Sequence, residues 1–114
     1  MNSEQLAFRH EDRDGCRTLA LSGEIDIATA KGLRRELESL IAGAHSPAVL
    51  DLSEVTFIDA AGLSELVAAR RKVAHTDVEI VLVEPSEACR RVLEVTGLDR
   101  AFTIVTSRVT GNVQ

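Results

Sequence analysis

Tryptophan and tyrosine are missing from this chain and only three phenylalanines are present, so it lacks the flat aromatic surfaces on which single-stranded nucleic acids stack their bases. Positive charge is also scarce. Thirteen Lys and Arg against 18 Asp and Glu leave a net charge of −5, the wrong sign for a protein that must cover phosphates with cations. The one basic cluster, Arg70-Arg71-Lys72, falls where a helix should end and complements the helix dipole there. No apolar run approaches the ~20 residues of a membrane span. The N-terminal MNSEQLAFRHEDRDG has neither a basic start nor an apolar signal core, and a cytoplasmic protein without membrane or nucleic-acid contacts is expected.

The two cysteines, Cys16 and Cys89, lie far apart with no CxxC spacing or paired histidines. That argues against a zinc site or a disulfide framework and for two small buried residues. The glycines spell neither GxGxxG nor the GxxxxGKS or GxxxxGKT of a phosphate loop. Asp12 and Asp14 could open a calcium loop, but the further oxygen ligands and the Glu at its twelfth position are missing; EDRDG reads as a solvated hairpin connection. His10, His45 and His75 fall in loops or at helix ends, without a Ser or Cys nucleophile motif beside them. No catalytic residue, metal or cofactor is assigned, and the chain reads as a non-enzyme.

What is present fits one α/β domain over residues 1–114, with its core at about 4–107 and a loose tail at 108–114. A chain of 114 residues, 45% of them hydrophobic, can bury roughly two-thirds of its unfolded surface. Leu6 and Phe8, then Leu19 and Leu21, alternate as two strands joined through Asp14-Gly15, a strong turn dipeptide. Leu33, Leu37, Leu40 and Ile41 recur at helical spacing, with Asp26 or Thr29 to cap the start and Gly43 to end the helix. AVLDL after Pro47 suits a short buried strand.

Leu63, Leu66, Val67, Arg70 and Val73 predict a second helix reaching about His75, and VEIVLV at residues 78–83 is the best candidate for the central strand. Ser86 caps a third helix that uses Cys89, Val92, Leu93 and Thr96 and stops at Gly97, with Leu98 packing back on Leu93. Residues 102–105 supply a last strand. The order predicts a mixed sheet of about five strands with the helices mainly on one face.

One stretch carries more than fold. In FIDAAGLSEL, residues 57–66, a strand runs into Asp59, a natural helix cap, and the helix then opens on Ala60, Ala61 and Gly62. Capping explains the Asp. It does not explain a first turn stripped of side chains, which exposes backbone donors and lets another surface approach closely. A contact site and plain capping are equally served by these residues alone.

VLDLSEVTFIDAAGLSEL resembles the signature of the STAS family, which includes bacterial anti-sigma factor antagonists. LSGEIDIATAKGLRREL resembles that family's Gly-Glu-Leu-Asp stretch, and VLEVTGLDRAFTIVTS its C-terminal stretch around Thr-Gly-Leu. The three segments stand in register across about residues 20–107. The resemblance implies a mixed sheet with helices largely on one side, and function by binding. Its antagonists hold an anti-sigma factor that is also a serine kinase, freeing a sigma factor. The kinase ends the complex by phosphorylating a Ser or Thr at the start of the second helix, where nearly two negative charges arrive at a packed interface.

Carried onto this chain, the resemblance places partner contacts at Asp26, Thr29, Asp59, Ala60, Ala61, Gly62, Leu63 and Ser64. Where the family has Asp-Ser-Ser-Gly or Asp-Ser-Thr-Gly, this chain has Asp59-Ala60-Ala61-Gly62, so the acceptor position, 61, has no hydroxyl. The chain is then a constitutive antagonist, or bears an alanine introduced in place of a natural Ser or Thr, or belongs to a branch that never used phosphorylation. Ser64 as a substitute acceptor sits about a turn away. The alternative is a scaffold or accessory subunit of a stress-signalling or transport complex; a nucleotide or small-ligand sensor rests on family analogy alone.

Overall fold

The computed structural model describes residues 5–42, 44 and 47–107. Strand β1 (Leu6–Arg13) turns through Asp14 and Gly15 into β2 (Cys16–Ile25). Both turn residues take positive φ, 52° and 82°, as a two-residue hairpin matching the strand twist requires. Arg13 lies opposite Cys16, so Glu11, Asp12 and Arg13 extend the strand and do not form the loop expected of them. β1 is an edge strand, where charged side chains are tolerated and discourage pairing with other chains. His10 is likewise in this strand, its Nε2 2.6 Å from Glu36 Oε1. Cys16, at the turn, is only half-buried, whereas Cys89 is buried; both are free thiols.

After β2 come α1 (Ala30–Ala42), β3 (Ala48–Ile58), α2 (Ala60–Val73), β4 (Ile80–Val83), α3 (Glu87–Thr96), a 3-10 turn (Leu98–Arg100) and β5 (Thr103–Val105). The strands lie in the order β1-β2-β3-β4-β5. β1 is antiparallel to β2, and β2 to β5 are parallel. Each parallel crossover steps one strand further in the same direction, so a shared right-handedness puts all three helices on one face. Burial agrees. Leu19, Leu21, Leu50, Leu52, Ile80 and Leu82 join Leu33, Leu66 and Leu93 in a single core. On the other face Arg13 Nη1 donates to Asp51 Oδ2 at 2.8 Å, and hydrogen bonds from Arg13 and then Arg9 hold the Glu11 carboxyl down to about 2.

The middle strand is β3, of 11 residues, not β4. Several of its outward positions are polar, Asp51, Ser53 and Thr56 among them, because one sheet face is open; that breaks up the apolar run. β4 is continuous because β3 and β5 flank it, with Ile80, Val81 and Leu82 all buried. Ser86 caps α3 by accepting from the Cys89 N–H at 3.2 Å. Gly97 ends the helix at φ 80°, a left-handed conformation that costs a residue with a Cβ. The Leu98 N–H then donates to Thr96 Oγ1 at 3.4 Å, and Leu98 packs against the core. The expected stop at Gly43 and the tail at 108–114 lie outside the described residues.

Candidate functional site

Strands β2 and β3 end side by side, with Ile25 opposite Ile58, and the Asp59 N–H donates to the Ile25 carbonyl at 3.1 Å. That bond ties together two segments far apart in sequence: the loop at 26–29 that enters α1, and the first turn of α2. In the loop, Asp26 Oδ1 accepts from the backbone N–H groups of Ala28 and Thr29 at 3.0 and 3.1 Å. Thr29 Oγ1 in turn accepts from the Asp26 N–H at 2.9 Å and donates to the Glu24 carbonyl at 3.0 Å. Asp26 and Thr29 therefore lock one another. Neither acts as a free-standing side-chain cap: Thr29 offers α1 its carbonyl, which accepts from Leu33 at 3.0 Å.

Asp59 does cap α2. Its backbone is extended, and Oδ1 accepts from the N–H groups of Ala61 at 2.9 Å and Gly62 at 3.3 Å, satisfying donors the helix cannot pair internally. Ala60 is exposed and Ala61 half-exposed. Gly62 and Leu63 turn inward and are buried, so they support the surface and are not part of it. The reason at Gly62 is space: a Cβ there would stand 2.3 Å from Ile25 Cγ2 and 3.1 Å from Ile58 Cγ1. Ser64 is exposed, its hydroxyl donating back to the Ala60 carbonyl at 2.9 Å. Of the eight residues singled out in the sequence, Asp26, Thr29, Asp59, Ala60, Ala61 and Ser64 thus reach the surface at this rim, and Gly62 and Leu63 lie beneath it.

Sequence reasoning missed three residues here. Ile27 is 82% exposed and Phe57 47%. Ile27 sits in a loop with no periodic face to bury it, and Phe57 lies where β3 shifts register against β2, leaving Thr56 and Phe57 both exposed between buried Val55 and Ile58. Glu65 is the third. With Gly62, Leu66, Ala69 and Val73 it lies on the buried stripe of α2, so an acid at that spacing signals a partner. The partner is Arg34 of α1, whose Nε and Nη2 donate to the two carboxylate oxygens at 3.0 and 2.8 Å. This hydrogen bonding holds the Glu65 carboxyl below its ordinary value.

A model of the STAS domain matches residues 7–111, almost the whole chain. The chain belongs to the STAS domain family. The anti-sigma-F factor antagonist RsfB of Mycobacterium tuberculosis is 32% identical over 93 residues, 82% of this chain and 75% of that protein. An anti-sigma-B factor antagonist of Listeria monocytogenes is 32% identical over 94 residues, 81% of this chain and 82% of its own. Among solved structures, an anti-sigma factor antagonist from Mycobacterium paratuberculosis superposes with a TM-score of 0.80 at 32% identity, covering 91% of this chain and 88% of that one. Unphosphorylated SpoIIAA shares the fold, with a TM-score of 0.66 at 22% identity, covering 89% and 90% of the two chains.

The rim of this STAS domain presents small side chains and the exposed Ile27 and Phe57, while the N–H groups of Ala28, Thr29, Asp59, Ala61 and Gly62 are already bonded within the chain. Position 61 has no side-chain oxygen. Among the described residues no group of three or more His, Cys, Asp or Glu could hold a metal ion, and no helix is long and apolar enough to cross a membrane.

Proposed function

We propose that this STAS domain is an anti-sigma factor antagonist: it binds an anti-sigma factor of the serine-kinase type and so releases a sigma factor. The docking surface is Asp26, Thr29, Asp59, Ala60, Ala61 and Ser64, with Gly62 and Leu63 setting its shape from below. The observation that carries the reading is the junction of the 26–29 loop and the α2 start at one accessible rim, in a chain whose relatives are named as antagonists. The domain acts by occupying its partner and catalyses nothing itself. A cytoplasmic location follows from such a partner.

Ala61 makes the complex insensitive to the kinase. A methyl group cannot accept a phosphoryl group, so the negative charge that would break a packed interface cannot be placed there. The test is a binding assay with anti-sigma factors encoded in the same genome, with and without the sigma factor and ATP. Competition with the sigma factor is the expected result. ATP should leave the mass of this protein unchanged, while an Ala61→Ser variant should gain one phosphate and release its partner. Phosphorylation of the unaltered chain, at Ser64 or Ser53, would overturn the insensitivity. Association with which a sigma factor does not compete would instead assign a scaffold subunit, a role to which a residue without an acceptor oxygen is equally suited.

A further inference from the structure

The docking surface is split between two elements: the 26–29 loop leads into α1, and residues 59–64 open α2. Its shape therefore depends on the tie between β2 and β3 at Ile25 and Asp59 and, beyond that tie, on how α1 and α2 sit against each other. In most helix pairs, interlocking apolar side chains fix that placement. Here only part of the seam is filled that way: Leu33, Leu37 and Leu40 of α1 and Leu66, Ala69 and Val73 of α2 belong to the buried core, but between the two helices Leu37, Ile41, Ser64, Ala68 and Ala69 line an open groove of ≈ 320 Å³. Methyl groups across such a gap supply few van der Waals contacts to resist sliding.

Across that groove runs the Arg34–Glu65 pair: Arg34 lies a little over one helical turn past Thr29, and Glu65 follows Ser64 directly but on the buried side of α2. Its two parallel hydrogen bonds, at 3.0 and 2.8 Å, match the planar guanidinium to a carboxylate in one geometry. The far end of the groove is crossed by Lys72 Nζ to Glu38 Oε2 at 2.9 Å, a pair with both side chains about half-exposed and correspondingly weak. Glu65 differs. Its residue keeps only 9% of its exposure, so the carboxylate is held in place on the buried stripe of α2, although its partner Arg34 is as exposed as Lys72.

We infer that Arg34 and Glu65 are positioning residues that hold the α1 loop and the α2 start in the register the partner reads, without touching the partner themselves. This rests on the docking reading above. Glu65→Ala and Arg34→Ala should each weaken binding to the anti-sigma factor by about tenfold, the scale on which a two-element coupling acts. The exchange variant Arg34→Glu with Glu65→Arg should recover most of the affinity. In amide NMR spectra of the free protein, the signals of Thr29, Ala60 and Ala61 should shift in the single variants and return in the exchange.

Single variants that bind as tightly as the wild type, with those amides unmoved, would overturn the inference. So would an exchange that restores melting temperature but neither affinity nor the amide positions, since the pair would then be a plain structural contact. A wild-type domain that binds no anti-sigma factor overturns the reading of function instead, and the amide shifts then decide the register claim alone: unmoved signals overturn it, and signals that shift and return support it.

Discussion

Helices α2 and α3 start in the same way and share an alanine at the second helical position, Ala61 and Ala88, but differ at the first and the third. Each opens on a side-chain cap, Asp59 or Ser86, accepting from N–H groups in the first turn. At the first helical position α3 has Glu87, an acid at the positive end of the helix dipole, and α2 has Ala60. At the third position both turn inward: α3 buries the thiol of Cys89, while at Gly62 of α2 there is no room for a methyl. Both caps give their N–H to a strand carbonyl, Asp59 to Ile25 and Ser86 to Leu52, each at 3.1 Å, but Ser86 adds a second tie, its hydroxyl donating to the Val55 carbonyl at 2.6 Å. The α3 start is therefore made for stability. At α2 the same cap serves a start that is pressed against Ile25 and bare outside, as a surface for close approach requires.

The sharpest way to break this contrast is at Gly62. Ile25 and Ile58 are β-branched and buried, so they cannot swing aside as a long side chain would. Gly62→Ala should cost about 3 kcal/mol by overpacking, read as a fall in the denaturation midpoint. Cys89→Ala at the equivalent position of α3 removes volume instead and should cost about 1 kcal/mol. Equal, small costs at both positions would mean that α2 does not lie as close to the sheet as Gly62 implies.

The caps come next. Ser86→Ala loses both the cap and the hydroxyl's bond to Val55, about 2 kcal/mol together. It should leave binding of the anti-sigma factor intact once the protein is folded. Asp59→Ala should cost about 1 kcal/mol and also weaken binding, because the amides of Ala61 and Gly62 lose the acceptor that orders them. A stability loss without a binding loss at Asp59 would reduce it to a cap like Ser86.

Much of this was legible before any coordinates, for identifiable reasons. The α3 boundaries could be read because Ser86 and Gly97 are local signals whose chemistry acts within one turn. The α2 start could be read for the same reason, through Asp59. The identity of the middle strand could not, because it depends on which neighbours a strand acquires, and polar Asp51 and Ser53 on the open face hid β3. For the proposed site the sequence supplies a list of residues but not the surface they form. Nothing local says that Gly62 faces Ile25, 37 residues earlier, or that Glu65 finds Arg34. Those are tertiary facts, although an acid on a buried helical stripe is a readable demand for a partner.

The smallest effect is the most informative about what the α2 start is for. An acid in the first turn of a helix contributes about 0.5 kcal/mol through the dipole, and Glu and Ala differ little in helix propensity. Ala60 is exposed and meets no constraint like that at Gly62, so Ala60→Glu, copying Glu87 of α3, should raise stability by about that amount, a melting-temperature gain of a few degrees. If the bare turn were only a helix start, this gain would come without cost. If it receives a partner, the same variant places a carboxylate and one more methylene where a surface must close, and affinity for the anti-sigma factor should fall at least tenfold, roughly 1.4 kcal/mol of binding. The reciprocal change, Glu87→Ala, should lose the small stability and leave affinity unchanged. Opposite signs for stability and binding at residue 60, with no such conflict at residue 87, are what a turn kept bare for contact requires. A more stable Ala60→Glu variant that still binds fully would make the bareness of α2 a feature of packing alone.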